Sequence, residues 1–327
     1  MSARARWIVI AGLAVAAAGC AAILGIDDGT PRDGDASGDA ALSDVADTGA
    51  LPDAPADAGD GSVAMCDVDA AFSVPTAFAT LDSTASDAHL RLAPNELSGY
   101  FQTQRDGGLG NYDVYTATRT SIGDTWTAVG PVTPVNSSAA EVDPSVSGDL
   151  LTLYLSRSSQ LMRATRASAS AAFGAPALVP VINSAASDFG PYVIADNSAL
   201  YFSSTRNSDA GVAELFVTQP LADGGFTAPA NVNGAALKTG DNRFAAVTDD
   251  QLVLYFGSNR TGGQGNYDIW VATRASTSVA FGTPRVVAEV SSASDETPDW
   301  VSSDRCRLYF SSNRGASYDL YVASKLP

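Results

Sequence analysis

A chain of 327 residues with 45% hydrophobic content can hold one large domain or two ordinary ones, with a substantial core. Its 19 Lys and Arg against 36 Asp and Glu leave a formal charge of −17, which argues against a nucleic-acid partner, since that requires a basic face. The single histidine, His89, excludes sites built on two or three His ligands and leaves few options for a Ser/His/Asp triad.

The N-terminus reads as an export signal, residues 1–19. Arg4 and Arg6 precede an apolar run, Trp7–Ala18, too short to span a membrane as a mature helix. It ends Ala17-Ala18-Gly19-Cys20, which resembles the bacterial lipobox, with Ala17 where Leu is commoner. That resemblance implies a Cys20 that is diacylated and becomes the first mature residue, giving a lipid anchor in the membrane. Ala21 rather than Asp after it points, by the same resemblance, to the outer membrane. The alternative is an ordinary secretory peptide cut near Ala18.

Residues 20–64 form the next segment. Ten Asp lie between Asp27 and Asp60, so much of the acidity belongs here and not to a binding surface. Asp27–Ser62 is Asp, Gly, Ala and Pro with almost no bulky apolar residue. It cannot bury enough surface to offset its ordering entropy, and like charges extend it. A tether is expected.

From Met65 to the end, residues 65–327, one text recurs. Its clearest copy is Leu252–Arg274: a strand apolar on both faces, a glycine turn at Gly262, Gly263 and Gly265, then a second strand from Tyr267. Apolar residues on both faces predict a sheet covered on both sides. Tyr100, Tyr154, Tyr201, Tyr255 and Tyr309 mark five copies, spaced 54, 47, 54 and 54 residues apart. An acid precedes each (Asp87, Glu141, Asp188, Asp241, Asp295), and an arginine follows each (Arg105, Arg157, Arg206, Arg260, Arg314). A third strand starts Tyr112-Asp113, Tyr267-Asp268 and Tyr318-Asp319. A fourth starts with an aromatic and carries a proline, as in Phe173/Pro176, Phe226/Pro229 and Phe281/Pro284, which suits an outer edge. Trp126 opens the same element, with Pro131 displaced by two.

Four strands in a unit of about fifty residues predict a blade, and five units predict an all-β, five-bladed β-propeller. Six blades is the alternative count. The last unit stops after three strands, and Phe72-Ser73-Val74-Pro75 is an orphan fourth strand, so the N-terminal strand is expected to close the last blade. The Tyr-Asp and Ser-Asn-Arg texts resemble the PD40, or WD40-like, repeats of TolB-type propellers. The resemblance covers Phe72–Lys325 and fails in the second unit, where Leu161-Met162 replaces Tyr-Asp, and in the third, with Glu214-Leu215-Phe216. Those two blades are expected to be irregular.

With Cys20 lipidated, Cys66 and Cys306 remain in an oxidising compartment. Alternating strand directions put both at the same end of the closing blade, so a disulfide is expected, worth about 4–5 kcal/mol by loop entropy. The alternative is two buried free thiols.

The five acids could ring a cation, but a residue in every blade more simply serves a need of every blade. The expected pairs are Asp268 with Arg260 and Asp319 with Arg314, across their turns. The glycine turns lead into no helix and lack a Gly-Lys-Ser/Thr ending, so they are hairpins and not phosphate loops. Function should break the symmetry. Unshared residues of the innermost strands are His89, Arg91, Asp143, Tyr192, Arg243, Phe244, Asp299 and Trp300, a mixture suited to a small polar-ligand pocket at one channel mouth, or to plugging the centre. No catalytic, cofactor or metal motif is present. The expectation is a monomeric, membrane-anchored module that binds an envelope protein, peptide or glycan without catalysis. The alternative is a glycosidase using Asp143 and Asp299, which would need to stand about 5–10 Å apart.

Overall fold

The computed structural model describes residues 64–325 except 233. The signal segment, Cys20 and the tether before residue 64 lie outside the described residues. Within them, twenty strands form five antiparallel four-stranded sheets.

The first blade is β2 (Asp87–Leu92), β3 (Ser98–Thr103), β4 (Asp113–Thr118) and β5 (Thr127–Pro131). The second is β6 (Glu141–Val146), β7 (Thr152–Arg157), β8 (Gln160–Thr165) and β9 (Ala177–Leu178). The third is β10 (Asp188–Val193), β11 (Leu200–Ser204), β12 (Glu214–Thr218) and β13 (Ala230–Asn231). The fourth is β14 (Asn242–Val247), β15 (Val253–Ser258), β16 (Asp268–Thr273) and β17 (Arg285–Val286). The fifth is β18 (Glu296–Val301), β19 (Arg307–Ser312) and β20 (Asp319–Ser324), completed by β1 (Thr76–Ala77) from the other end of the chain. Each innermost strand touches the next, and β18 touches β2, so the ring is shut. The chain is a five-bladed β-propeller.

The N-terminal segment closes the last blade as expected, but the strand is Thr76–Ala77 and not Phe72–Pro75. Thr76 pairs with Val322, Ala77 with Tyr321, and Phe72 bridges to Lys325. Cys66 and Cys306 form a disulfide, Cα atoms 5.1 Å apart, across 240 residues of chain.

The alternation of the Leu-Tyr-Phe text explains the core. Phe101, Phe202, Phe256 and Phe310 are wholly buried, as are Tyr201, Tyr255 and Tyr309, because the two faces of each sheet meet different neighbours. Each such ring contributes about 1.5–3 kcal/mol by area removed from water. The prolines Pro176, Pro229 and Pro284 sit just before the outermost strands, where a missing N–H interrupts no ladder. The second and third blades keep all four strands despite their divergent text. It is the first blade's β5 that shifts register, between Thr116 and Thr118 of its partner strand.

The recurring charges are used differently from the expected pairing. Arg105 meets Asp87 at 2.7 Å, Arg157 meets Glu141 at 2.6 Å, Arg206 meets Asp188 at 2.5 Å and Arg314 meets Glu296 at 3.1 Å. The carboxylate lies at the start of the innermost strand and is fully buried in all four. Ser83, Ser137, Ser184 and Ser292, four residues earlier, each donate both N–H and O–H to it. A buried charge is thereby fully partnered. Asp268 instead accepts the Gln264 and Gly265 amides at 3.0 and 3.2 Å, and Asp113 does the same for Leu109 and Gly110. These aspartates fasten their own turns, and a Cβ on Gly263 would fall 1.9 Å from Asp268 Oδ2. Asp319 likewise belongs to its turn: Ser317 reaches it at 3.4 Å. The in-phase residues of the last two blades are Asn242 and Glu296. Asp241 and Asp295, one residue earlier, accept the Ala213 and Tyr267 amides of the preceding blade.

Candidate functional site

Four of the five innermost strands are kinked two residues after their first. His89, Asp143, Gly190 and Phe244 hold φ of 57°, 55°, 60° and 54°, the left-handed region, and the register slips at the same place. A non-glycine there costs of order 1–3 kcal/mol unless the surroundings hold it. They do: each N–H donates to a side-chain oxygen of the preceding blade's second strand. The acceptors are Ser311 (2.8 Å), Gln102 (2.8 Å), Ser156 (3.1 Å) and Ser203 (3.0 Å). The kink turns these side chains toward the channel mouth.

There they border a cavity of about 500 Å³. His89 and Asp143 are joined through Nδ1 and Oδ1, and the second oxygen of Asp143 accepts the Gly190 amide at 3.1 Å. Burial opposes the charge on Asp143, but the His89 ring and these bonds hold its carboxyl below the usual carboxylate range. With Nδ1 committed to a carboxylate, the imidazole offers Nε2, an acceptor when neutral and a donor when protonated. The Phe244 ring packs on His89 at 4.3 Å and on Phe189 at 5.7 Å, making an aromatic wall. Arg243 also lines the cavity, its guanidinium held by Asp241.

The eight unshared residues of the innermost strands therefore divide. His89, Asp143, Arg243 and Phe244 come together at this mouth. Arg91 and Asp299 are sealed in the axis, 2% and 1% exposed, and line no part of the cavity. The Arg91 guanidinium lies 4.6 Å from the Tyr192 ring and reaches the Ala245 carbonyl at 3.4 Å. Burial pushes the Asp299 carboxyl up and the Arg91 guanidinium down. Tyr192 and Trp300 border a crevice of about 10 Å³ on the opposite side, room for about one water. Phe189, Gln102 and Thr205 also line the mouth and were not singled out from the sequence. Phe189 follows Asp188 as Arg243 follows Asn242, so holding the repeat in phase identifies it.

Chemically the mouth combines one imidazole with an aromatic wall. No hydroxyl hydrogen-bonds Nε2 among the described residues, and both oxygens of Asp143 are engaged. Among the same residues no group of three or more His, Cys, Asp or Glu is arranged to hold a metal.

No protein-family model matches the chain, and no curated protein sequence matches it. Solved structures do. TolB from Acinetobacter baumannii is 12% identical with a TM-score of 0.44, over 75% of this chain and 56% of that one. A thermostable family-43 glycoside hydrolase is 10% identical with a TM-score of 0.50, over 76% and 92%. Endo-arabinase from Bacteroides thetaiotaomicron is 13% identical with a TM-score of 0.48, over 79% and 98%. The common ground is the propeller. The chain spans little more than half of that TolB, and identities this low speak to fold alone.

Proposed function

We propose that this protein is an outer-membrane lipoprotein, anchored through Cys20, whose propeller binds a polar segment of an envelope protein, peptide or glycan without catalysis. The observation that carries the reading is the cavity of about 500 Å³, walled by Phe189 and Phe244 and presenting His89. Aromatic faces beside a few convergent polar groups suit recognition of such a segment. Hydrolysis by paired carboxylates is disfavoured, since Asp143 is bound up with His89 and Asp299 is sealed away from the cavity. The disulfide fits an oxidising compartment.

Two measurements test the proposal. Palmitate labelling of cells should mark the wild type and not Cys20→Ser; equal labelling removes the anchor. Glycan and peptide arrays probed with the propeller should give hits that Phe244→Ala and His89→Ala lose. An unchanged binding profile, or reducing sugar released from a polysaccharide panel, overturns the binding reading.

A further inference from the structure

The fourth blade breaks the charge pattern of the other four. Where they place Asp87, Glu141, Asp188 and Glu296, it has Asn242. Where they place Ser83, Ser137, Ser184 and Ser292, it has Lys238, which is exposed. The arginine is kept. Arg260 is sandwiched as its counterparts are, 4.9 Å from the Phe256 ring and 5.2 Å from Trp270. Its hydrogen bonds, however, go only to neutral oxygens: Asn242 Oδ1 at 2.8 Å, Ser258 Oγ at 3.0 Å and the Ala236 carbonyl at 3.4 Å. It makes no ion pair among the described residues. Burial alone lowers its hold on the proton, with no carboxylate opposing.

A second change sits at the same place. The carbonyl that each arginine reaches belongs to Leu81, Val135, Ile182 or Val290 in the other blades, all fully buried. In the fourth blade it belongs to Ala236, and a cavity of about 540 Å³ opens beside it. This cavity shares no lining residue with the channel mouth. Its wall carries Arg260, the Trp270 ring, the hydroxyls of Thr239, Thr261 and Thr283, and the Asn259 amide, and it includes no acidic residue. The nearest carboxylate in sequence, Asp241, is taken by Arg243, the Tyr267 hydroxyl and the Ala213 amide.

We propose that this cavity binds an acidic sugar, whose carboxylate pairs with the N–H groups of Arg260 that Asn242, Ser258 and Ala236 leave free. A guanidinium with free N–H groups and no counter-ion is a carboxylate receptor. Three hydroxyls and an amide suit the hydroxyls of a pyranose, and Trp270 with Pro284 supplies its apolar side.

Calorimetric titration of the full chain at low ionic strength, with glucuronate and with glucose, tests the assignment. Glucuronate should bind and glucose should not. Asn242→Asp restores the residue type of the other blades, so it should fold as well as the wild type and weaken glucuronate at least about tenfold. Arg260→Gln should do the same and covers the case in which Asn242→Asp fails to fold. Phe244→Ala should leave the affinity unchanged. Equal binding by both fourth-blade variants overturns the inference, as does phosphate competing as well as glucuronate. Loss of binding in Phe244→Ala instead would move the ligand to the channel mouth, overturning this site while leaving the binding reading standing.

Discussion

Pro298 and Gly257 hold the donor's and the acceptor's places at one blade junction, between β18 and β15. In the other four blades the residue at the kink donates its N–H to a side chain of the preceding blade's second strand. Pro298 has no N–H to give, and Gly257, at the acceptor's place, has no side chain to receive it. The two exceptions fall on the same blade junction, so neither leaves the other's hydrogen bond half made.

Ser203→Ala should therefore cost about 0.5–1.5 kcal/mol, because it removes the acceptor of the half-buried Phe244 amide. Gly257→Ala should be neutral or stabilising by up to about 1 kcal/mol, since its new Cβ meets Thr297 Cγ2 at 3.4 Å and a strand glycine is entropically costly. Guanidinium midpoints of the two variants check both. Equal losses would show that the hydrogen bond is not what distinguishes the junctions.

Asp143 and Asp299 should respond oppositely to neutralisation. The folded pKa of Asp143 is depressed, so its contribution is present above the unfolded value of about 3.9 and is lost as pH falls through the folded value. That of Asp299 is raised, so folding is favoured below about 3.9 and penalised as pH rises through the folded value. At pH 7, Asp143→Asn should destabilise by about 1–3 kcal/mol and Asp299→Asn should stabilise. Both differences should shrink as pH falls, which chemical denaturation across a pH series would show.

Asp82 gives a second pH test, at the closing blade. It accepts the Leu320 amide at 3.0 Å, and burial raises its carboxyl to about 7. Stability from this group is present below about pH 4 and declines as pH rises toward 7. Asp82→Asn should raise the melting temperature at pH 8 and leave it unchanged at pH 4.

Cys306→Ser should cost about 2–5 kcal/mol, given the 240-residue loop that the bond closes. Reductant should lower the melting temperature of the wild type to that of the variant and leave the variant unmoved.

The blade count and the closing strand were legible in the sequence, because spacing and alternation are properties of single residues read along the chain. The partner of each arginine was not. Asp268 and Asp319 are as near in sequence to their arginines as the true partner is near in space. The choice is made by the turn, whose amides claim Asp268 and whose Ser317 hydroxyl reaches Asp319. Choosing the nearest acid also displaced the repeat by one residue in the last two blades, to Asp241 and Asp295. Holding the spacing from the tyrosine constant leads to Asn242 and Glu296, and so to the unpaired Arg260. The channel mouth was half legible. His89, Asp143, Arg243 and Phe244 were picked for being unshared, but a left-handed kink leaves no trace in residue type. Without it, nothing on the page separated these four from Arg91, Tyr192, Asp299 and Trp300 on the same strands.

Cys66 precedes Phe72 and Thr76 along the chain, and this order has a mechanical meaning. A force drawn from the N-terminal side reaches the covalent bond to Cys306 before it reaches any hydrogen bond of β1. The seam of the ring is thus shielded from traction, and peeling β1 from β20 would require the sulfur link to break first.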